Sequence, residues 1–341
     1  MSATTAPART AGSAARLLDV RALRTERPDE ALDLRGECLV GADLSGLDLS
    51  ACDLRDCDLS GADLSDARLL GAQLASALLI RARLDRAELA GADLTHALLE
   101  GASARCAGFG AAKLAHANLA GCDLDSASFA SADLAHADLR TCTARGARFH
   151  GANLEGADLS RSALENATLL EAVVSDACFD HTDLRHATLR DIRGFDSARW
   201  IGVDVRGADF TGALLCRRHV LDQNFLHEFR NRSRGSRVVY AIWWATSDCG
   251  RSLARWALWT IALAAAFGAV YSRVDIAYAN HETWLSPFYF SVVTLTTLGY
   301  GDAVPRSTAA QLVAMLEVVA GYMMLGGVLS IFSNKMARRA D

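Results

Sequence analysis

Leu recurs every fifth residue through nearly half of this chain, and little else in the sequence restricts its fold so tightly. Stepping by five from Leu34 through Leu39, Leu44 and Leu49 to Leu184 and Leu189 meets Leu, Phe, Val or Ala at all 32 positions, with no insertion. Two residues before each there is usually Ala, as at Ala42, Ala62, Ala72, Ala92, Ala152 and Ala157. Asp or Asn often stands between, as in Ala42-Asp43-Leu44 and Ala152-Asn153-Leu154. A period of five fits neither the 3.6-residue helix nor the two-residue strand alternation. A fixed repeat of this kind marks a solenoid, in which each unit is stable through its neighbours.

The pattern resembles the pentapeptide-repeat family, A-(D/N)-L-x-x. That resemblance implies a right-handed, four-sided β-helix over residues 31–215, with one pentapeptide per side and four per coil. Leu and Phe would fill the axis, and the Ala position must be small because it also points inward. Coils at β spacing then give a rod of about 38 Å. The absence of Pro between Pro28 and Pro287 suits a stack held by backbone hydrogen bonds. After Leu189 the register slips by one and resumes at Phe195, Trp200, Val205, Phe210 and Leu215, a run that reads as a closing cap. The open β-edges at the two ends need covers, for which residues 1–33 and the segment after Leu215 are available.

Charge divides the chain. Residues 31–215 hold 17 Lys/Arg against 28 Asp/Glu, whereas residues 216–341 hold 13 against 8, as expected for a soluble acidic body joined to a membrane segment. Of nine cysteines, Cys52, Cys57, Cys122 and Cys142 fall at the small position of the repeat, which predicts buried thiols in a reducing compartment. Residues 1–30 lack an apolar core and read as a flexible tail, not a signal peptide. His96, His116, His136, His150, His181 and His186 fall mostly at outward positions without metal-ligand spacing.

Two apolar runs follow. Residues 253–271 are uncharged apart from Arg255, and residues 308–334 carry Glu317 alone; each is long enough for a bilayer span. Eight Arg precede or open the first run between Arg217 and Arg255, and Lys335, Arg338 and Arg339 follow the second. Basic flanks on one side place both termini in the cytoplasm of a multi-pass protein of the plasma or inner membrane. Residues 216–250 form a linker in which Val238 to Trp244, with paired Trp243 and Trp244, reads as an interfacial amphipathic helix; a cap on the rod is the alternative.

Between the runs stands Thr297-Leu298-Gly299-Tyr300-Gly301-Asp302, which resembles the potassium-channel signature T-x-G-Y-G-D. The resemblance covers residues 251–341 and implies a two-helix pore domain, with a pore helix and filter at 286–302, in a homotetramer. The family's mechanism is carried over with it: four subunits offer the carbonyls of Thr297, Leu298, Gly299 and Tyr300, with the Thr297 hydroxyl, to K⁺ in place of water. Glycines 299 and 301 are needed where the backbone must enter regions closed to residues with a Cβ. Asp302, Tyr289 and Thr296 would support the filter. Leu298 stands where the family most often has Val, Tyr289 where it often has Trp, and Val293 where it sometimes has Glu. Tyr289 is placed to bond Asp302 through its hydroxyl.

Glu317, a carboxylate within a span, is a functional candidate by default. Two readings stand: a tie to the pore helix behind the filter, or an ion or proton sensor. Gly321 is a hinge candidate in the second helix, and Gly326 and Gly327 suit close packing. No cofactor is expected beyond K⁺ as the permeant ion, no enzymatic activity, and no nucleic-acid partner. The leading reading is a potassium-selective channel whose rod regulates, assembles or docks an unidentified protein or ligand. Its rivals are a membrane-anchored interaction scaffold and a poorly selective cation pore.

Overall fold

The structure, a computed structural model, describes residue 20 and residues 31–250, 252–278 and 283–340, with residues 334–340 as backbone only. The tail expected over residues 1–30 therefore lies outside the described residues, Val20 excepted. The chain divides into two units, Met1–Asn224 and Phe225–Asp341.

In the first unit the residue before each inward Leu bridges, in parallel, the residue 20 positions on: Asp33 to Asp53, Asp53 to Gln73, and so on to Val173 and Arg193. Twenty residues per coil is four pentapeptides, so every inward side chain stacks on its equivalent in the next coil. Leu34 N–H donates to Asp53 C=O at 2.8 Å and Asp53 N–H to Leu32 C=O at 2.9 Å, which is the ladder that the repeat requires. The corner residue lies in the left-handed region, costless for Gly41 (φ 65°) but imposed on His96 (φ 58°).

The axis is dry. Leu39 through Leu189 are buried, as is the Ala series between them apart from the half-buried Ala42 of the first coil. Phe109, Phe129 and Phe149, one coil apart, stack with centroids 4.8 and 5.1 Å apart. At four positions where Cys, Ser or Thr takes the small place, its polar hydrogen goes to a carbonyl of the preceding coil: Cys57 to Leu34 at 2.7 Å, Cys122 to Leu99 at 2.9 Å, Ser162 to Leu139 at 2.6 Å and Thr182 to Leu159 at 2.8 Å; Cys52 Sγ instead accepts from the Leu32 N–H at 3.4 Å. Burial pushes the Cys57 and Cys142 thiols up to about 11 and that of Cys122 up to about 12. The expectation of buried thiols at 52, 57, 122 and 142 holds for all four.

Two details differ from the sequence reading. Bridges keep the 20-residue step through Arg193 and change to 21 only at Cys178 to Arg199. The extra residue therefore lies between Arg193 and Arg199, leaving Phe195 half-buried instead of on the axis, while Trp200 stacks on Phe179 at 4.3 Å. Leu215 is not a solenoid position either. Helix α1 (Leu214–Arg232) starts one residue before it, and Leu215 is exposed on that helix.

The start of α1 closes the last coil. Cys216 and Val220 are buried against the solenoid core. Gln223 accepts from the Trp200 N–H at 2.9 Å and donates to the Ala198 carbonyl at 3.2 Å, and Asn224 accepts from the Gly202 N–H at 2.6 Å. Side-chain amides thus supply to the final coil some of the hydrogen bonds that a further coil would have made.

The second unit is helical. Helix α2 (Arg234–Ser247) opens with a reciprocal Ser233–Ser236 capping box and ends at Asp248 in the left-handed conformation. Helix α3 (Leu253–Tyr271) is capped by Ser252, whose Oγ accepts from the Arg255 N–H. A short strand β1 (Ile276–Tyr278) follows. Helix α4 (Ser286–Leu295) carries Pro287 in its first turn, where a missing N–H costs nothing. Strand β2 (Ala303–Pro305) pairs antiparallel with β1, and helix α5 (Thr308–Ala340) ends the described chain. By length and composition, Leu253–Tyr271 and Thr308–Ser333 are long and apolar enough to cross a membrane.

Candidate functional site

The six residues Thr297 to Asp302 leave the C-terminal end of α4 as an exposed segment and run into β2, which β1 holds by the pairs Ile276–Pro305, Ala277–Val304 and Tyr278–Ala303. Both ends of the segment are thereby tied down. At its start, the Thr297 N–H donates to Thr294 C=O and the Leu298 N–H to Val293 C=O, each at 3.0 Å.

Its backbone alternates. Thr297, Gly299 and Gly301 have φ of 57°, 53° and 76°, and the residues between them do not have positive φ. A run that alternates in handedness turns successive peptide groups the same way, so their dipoles add instead of cancelling. Gly299 and Gly301 adopt this conformation freely, and a Cβ at either would meet open space, so conformation and not room is what calls for glycine there. Thr297 is β-branched, and φ near +57° is strained for it. Strain of about 1–3 kcal/mol at such a position persists only where the surroundings enforce it, and it concentrates at functional sites.

Around the segment, three helices are locked by few but specific contacts. Glu317 of α5 is wholly buried; its carboxylate accepts from the Tyr271 hydroxyl of α3 at 2.6 Å and from the Ser291 hydroxyl of α4. Ser291 Oγ also lies 2.8 Å from the Ala264 carbonyl. Tyr271 packs edge-on against Phe290 at 4.9 Å. Trp256 Nε1 donates to Met324 C=O at 2.9 Å, joining α3 to α5.

Glycines set how closely the helices approach. A Cβ on Gly321 would collide with the carbonyl of Leu295, the last residue of α4, with the carbonyl carbon itself at 3.0 Å. Gly327 faces the Trp256 ring and Gly268 faces Phe288, whose Cγ would be 2.9 Å from an added Cβ. At Gly326 an added Cβ meets nothing within 4 Å. Gly321, the hinge candidate, thus lies in close contact with the end of α4, and of the Gly326–Gly327 pair only Gly327 is in close contact.

The other expected supports divide. Tyr289 has the Asp302 carboxylate beside its hydroxyl. Thr296 turns its hydroxyl back to the Val292 carbonyl of α4 at 2.7 Å. Ser291, Tyr271, Trp256 and Leu295 were not singled out in the sequence; a lone Ser or Tyr in an apolar run gives no signal until its partner is brought beside it. The exposed faces are apolar as well: Leu298, Tyr300, Met315, Leu316, Val319, Tyr322 and Met323 are all between 59% and 71% exposed. Among the described residues, no group of three or more His, Cys, Asp or Glu is placed to hold a metal ion.

Residues 258–338 match a family model described as "Ion channel", and residues 38–74, 67–103, 107–146 and 147–185 match pentapeptide repeats. A two pore potassium channel b from Oryza sativa subsp. japonica is 54% identical over 57 residues, which are 17% of this chain and 16% of that protein. The calcium-gated potassium channel TvoK of Thermoplasma volcanium is 36% identical over 59 residues, 17% of each. The potassium voltage-gated channel protein Shal of Drosophila melanogaster is 27% identical over 133 residues, 39% of this chain and 22% of that one. The chain thus spans less than a quarter of the length of each of these relatives. Among solved structures, the pentapeptide repeat protein HetL from Nostoc is 27% identical with a TM-score of 0.30, covering 55% of this chain and 90% of its own. Full-length QnrB1, a plasmid-mediated fluoroquinolone resistance protein, is 23% identical with a TM-score of 0.34, covering 55% and 97%.

Proposed function

We propose that this chain, an ion-channel domain fused to a pentapeptide-repeat domain, is one subunit of a tetrameric potassium-selective channel. The alternating backbone of Thr297, Gly299 and Gly301 in the sequence TLGYGD is the observation that carries this reading. On it, Thr297, Leu298, Gly299, Tyr300 and Gly301 form the filter, α4 is the pore helix, and α3 and α5 are the outer and inner spans. Carbonyls of four chains replace the water around K⁺, because one segment supplies only a quarter of the ligands. The exposed apolar faces of Leu298, Tyr300 and α5 support burial by neighbouring subunits and lipid.

The chemistry asked of the protein is desolvation. K⁺ gives up its hydration shell only where enough oxygens are held at the right separation, and the ties of the segment at α4 and β2 supply that rigidity. The C-terminal end of α4 adds partial negative charge near the segment's entrance. Asp302, held by Tyr289, then fixes the outer end. Both termini and the repeat domain, residues 31–213, lie in the cytoplasm on this reading. The repeat domain serves regulation, assembly or docking.

The test is ion flux from the purified full-length protein in liposomes, K⁺ against Na⁺, with barium as blocker. A barium-sensitive K⁺ flux that Gly299→Ala abolishes is the expected result. Equal K⁺ and Na⁺ flux would replace this reading with a poorly selective cation pore. No flux from folded protein, with or without the repeat domain, would leave the membrane-anchored scaffold.

A further inference from the structure

We infer that α2 is a docking surface for anionic phospholipid, its outward stripe set into the headgroup–acyl boundary and Arg232, Arg234 and Arg237 on lipid phosphates. The inference rests on the reading of the chain as a membrane channel and adds to it a lipid requirement.

Helix α2 packs against protein along one side and, at its C-terminal end, against α3, and it presents an apolar stripe on the opposite side. Ser236, Tyr240, Trp243 and Ser247, at helical spacing, are withdrawn from solvent, as is Thr246 near the C-terminal end. Trp243 meets Phe229 edge-on at 6.4 Å, and the Arg230 guanidinium lies 5.5 Å from the centre of the Tyr240 ring. On the opposite side Val238, Ile242 and Ala245 recur at i, i+4 and i+7, with Val239 beside them. Val238, Val239 and Ile242 are 60%, 53% and 59% exposed. An apolar stripe diametrically opposed to a packed one requires a second apolar environment.

Charge selects which environment. On the repeat domain, arginines are habitually satisfied by carboxylates, as in Arg86–Asp66, Arg140–Asp138 and Arg185–Asp183, at 2.6, 2.6 and 2.7 Å. Arg232, Arg234 and Arg237 have no carboxylate in ion-pair range among the described residues, although all three are exposed. The segment 225–250 contains two acidic residues, Glu228 and Asp248, and Asp248 is already paired with Arg255 at 3.7 Å. A face that is apolar along its middle, with Arg234 and Arg237 at its N-terminal end and Arg232 closing α1 just before it, complements an anionic bilayer surface. Two copies of the same face packed in parallel would instead oppose arginine to arginine.

Depth follows from the junction with α3. Trp259 Nε1 donates to the Ala245 carbonyl at 3.1 Å, the Arg255 guanidinium lies 5.4 Å from the centre of the Trp244 ring, and an Arg255 nitrogen is 3.4 Å from the Trp244 carbonyl. The C-terminal end of α2 is thereby fixed beside the first two turns of a membrane-length helix, at the level where tryptophan and arginine sit in the interface.

The experiment is hydrogen exchange over 234–247 in the full-length protein, in nanodiscs of phosphatidylcholine alone and of phosphatidylcholine with phosphatidylglycerol. Exchange about tenfold slower in the anionic discs is expected, reversed by high salt and by Arg232→Gln/Arg234→Gln/Arg237→Gln. Ile242→Asp should remove protection in both lipids. Equal exchange in the two discs would overturn the inference, as would protection that persists in lipid-free detergent and survives the arginine changes, which would assign the face to another copy of the chain. K⁺ flux recorded in liposomes of the same two lipids separates the claims. Flux without lipid-dependent protection rejects the lipid surface alone, and protection without flux rejects the channel reading and keeps the surface.

Discussion

Tyr271 in α3 donates its hydroxyl to Glu317 in α5 at 2.6 Å, and the same carboxylate accepts from Ser291 in α4, so one buried side chain ties three helices together. Of the two sequence readings of Glu317, this geometry favours the tie over the sensor. The carboxylate is placed behind α4, the helix that delivers Thr297 to the candidate filter.

Removing that tie should loosen the whole unit. Glu317→Ala leaves the Tyr271 hydroxyl without its acceptor, at about 1–3 kcal/mol if it stays unsatisfied, while Ser291 can turn its hydrogen to the Ala264 carbonyl. The full-length protein in detergent should lose at least about 3 °C in thermal stability, followed by size-exclusion fluorescence. Glu317→Gln, which keeps an acceptor oxygen, should lose less. An alanine variant as stable as the parent would show that the tie is not structural.

The glycines of α5 should behave differently from one another. Gly321→Ala drives a methyl into the Leu295 carbonyl, and Gly327→Ala drives one into Trp256, so both should lower stability and flux. Gly326→Ala meets nothing within 4 Å in its own chain and gains about 0.5–1 kcal/mol of helix propensity. Combining Gly327→Ala with Trp256→Leu should recover stability, which Gly321→Ala, facing backbone, cannot do in that background. Equal tolerance at 321 and 326 would contradict the packing account of Gly321.

Tyr289 replaces the Trp that the potassium-channel family often carries, and its hydroxyl faces Asp302. Tyr289→Phe keeps the ring and removes the bond, so K⁺ currents should persist but decay at a different rate during sustained opening. Currents with unchanged time course, recorded from reconstituted bilayers, would mean that Asp302 is held by other means.

The buried thiols predict a pH dependence of the repeat domain. Folding raises the pKa of Cys57, Cys122 and Cys142 to about 11, 12 and 11, whereas an unfolded thiol ionises near about 8.5. The unfolded chain therefore loses these protons first. Their contribution is complete below about pH 8.5 and is lost as pH rises toward the folded values. A triple Cys57→Ala/Cys122→Ala/Cys142→Ala variant, with the residue most common at that repeat position, should show a flatter fall in denaturation midpoint between about pH 8 and about pH 10. Parallel curves for parent and variant would contradict the assignment.

The five-residue ladder and its small-residue companion were readable because each repeat sees the same environment, so one rule explains 32 positions. The reading faltered where that sameness ended. Periodicity put the slip after Leu189, but the bridges place it beyond Arg193, because one extra residue can sit anywhere in a coil until pairing with the previous coil selects a corner. Leu215 continued the period by chance; the chain had already turned helical at Leu214, where Gln223 and Asn224 bring side-chain amides to the edge.

The channel-like half divides in the same way. Composition alone marks the two apolar runs, and TLGYGD marks the segment between them, since glycine at 299 and 301 reports a backbone need that is local. The strain at Thr297, the contact of Gly321 with Leu295 and the partners of Glu317 were not legible. Each depends on which residues of other helices arrive alongside, and side-chain identity carries no address for a partner 26 or 46 positions away. Sequence by itself determined the elements, their order and the residues whose own backbone chemistry is special. Tertiary structure decided which polar groups become buried together and which glycines are contacts, because those depend on distances that exist only after packing.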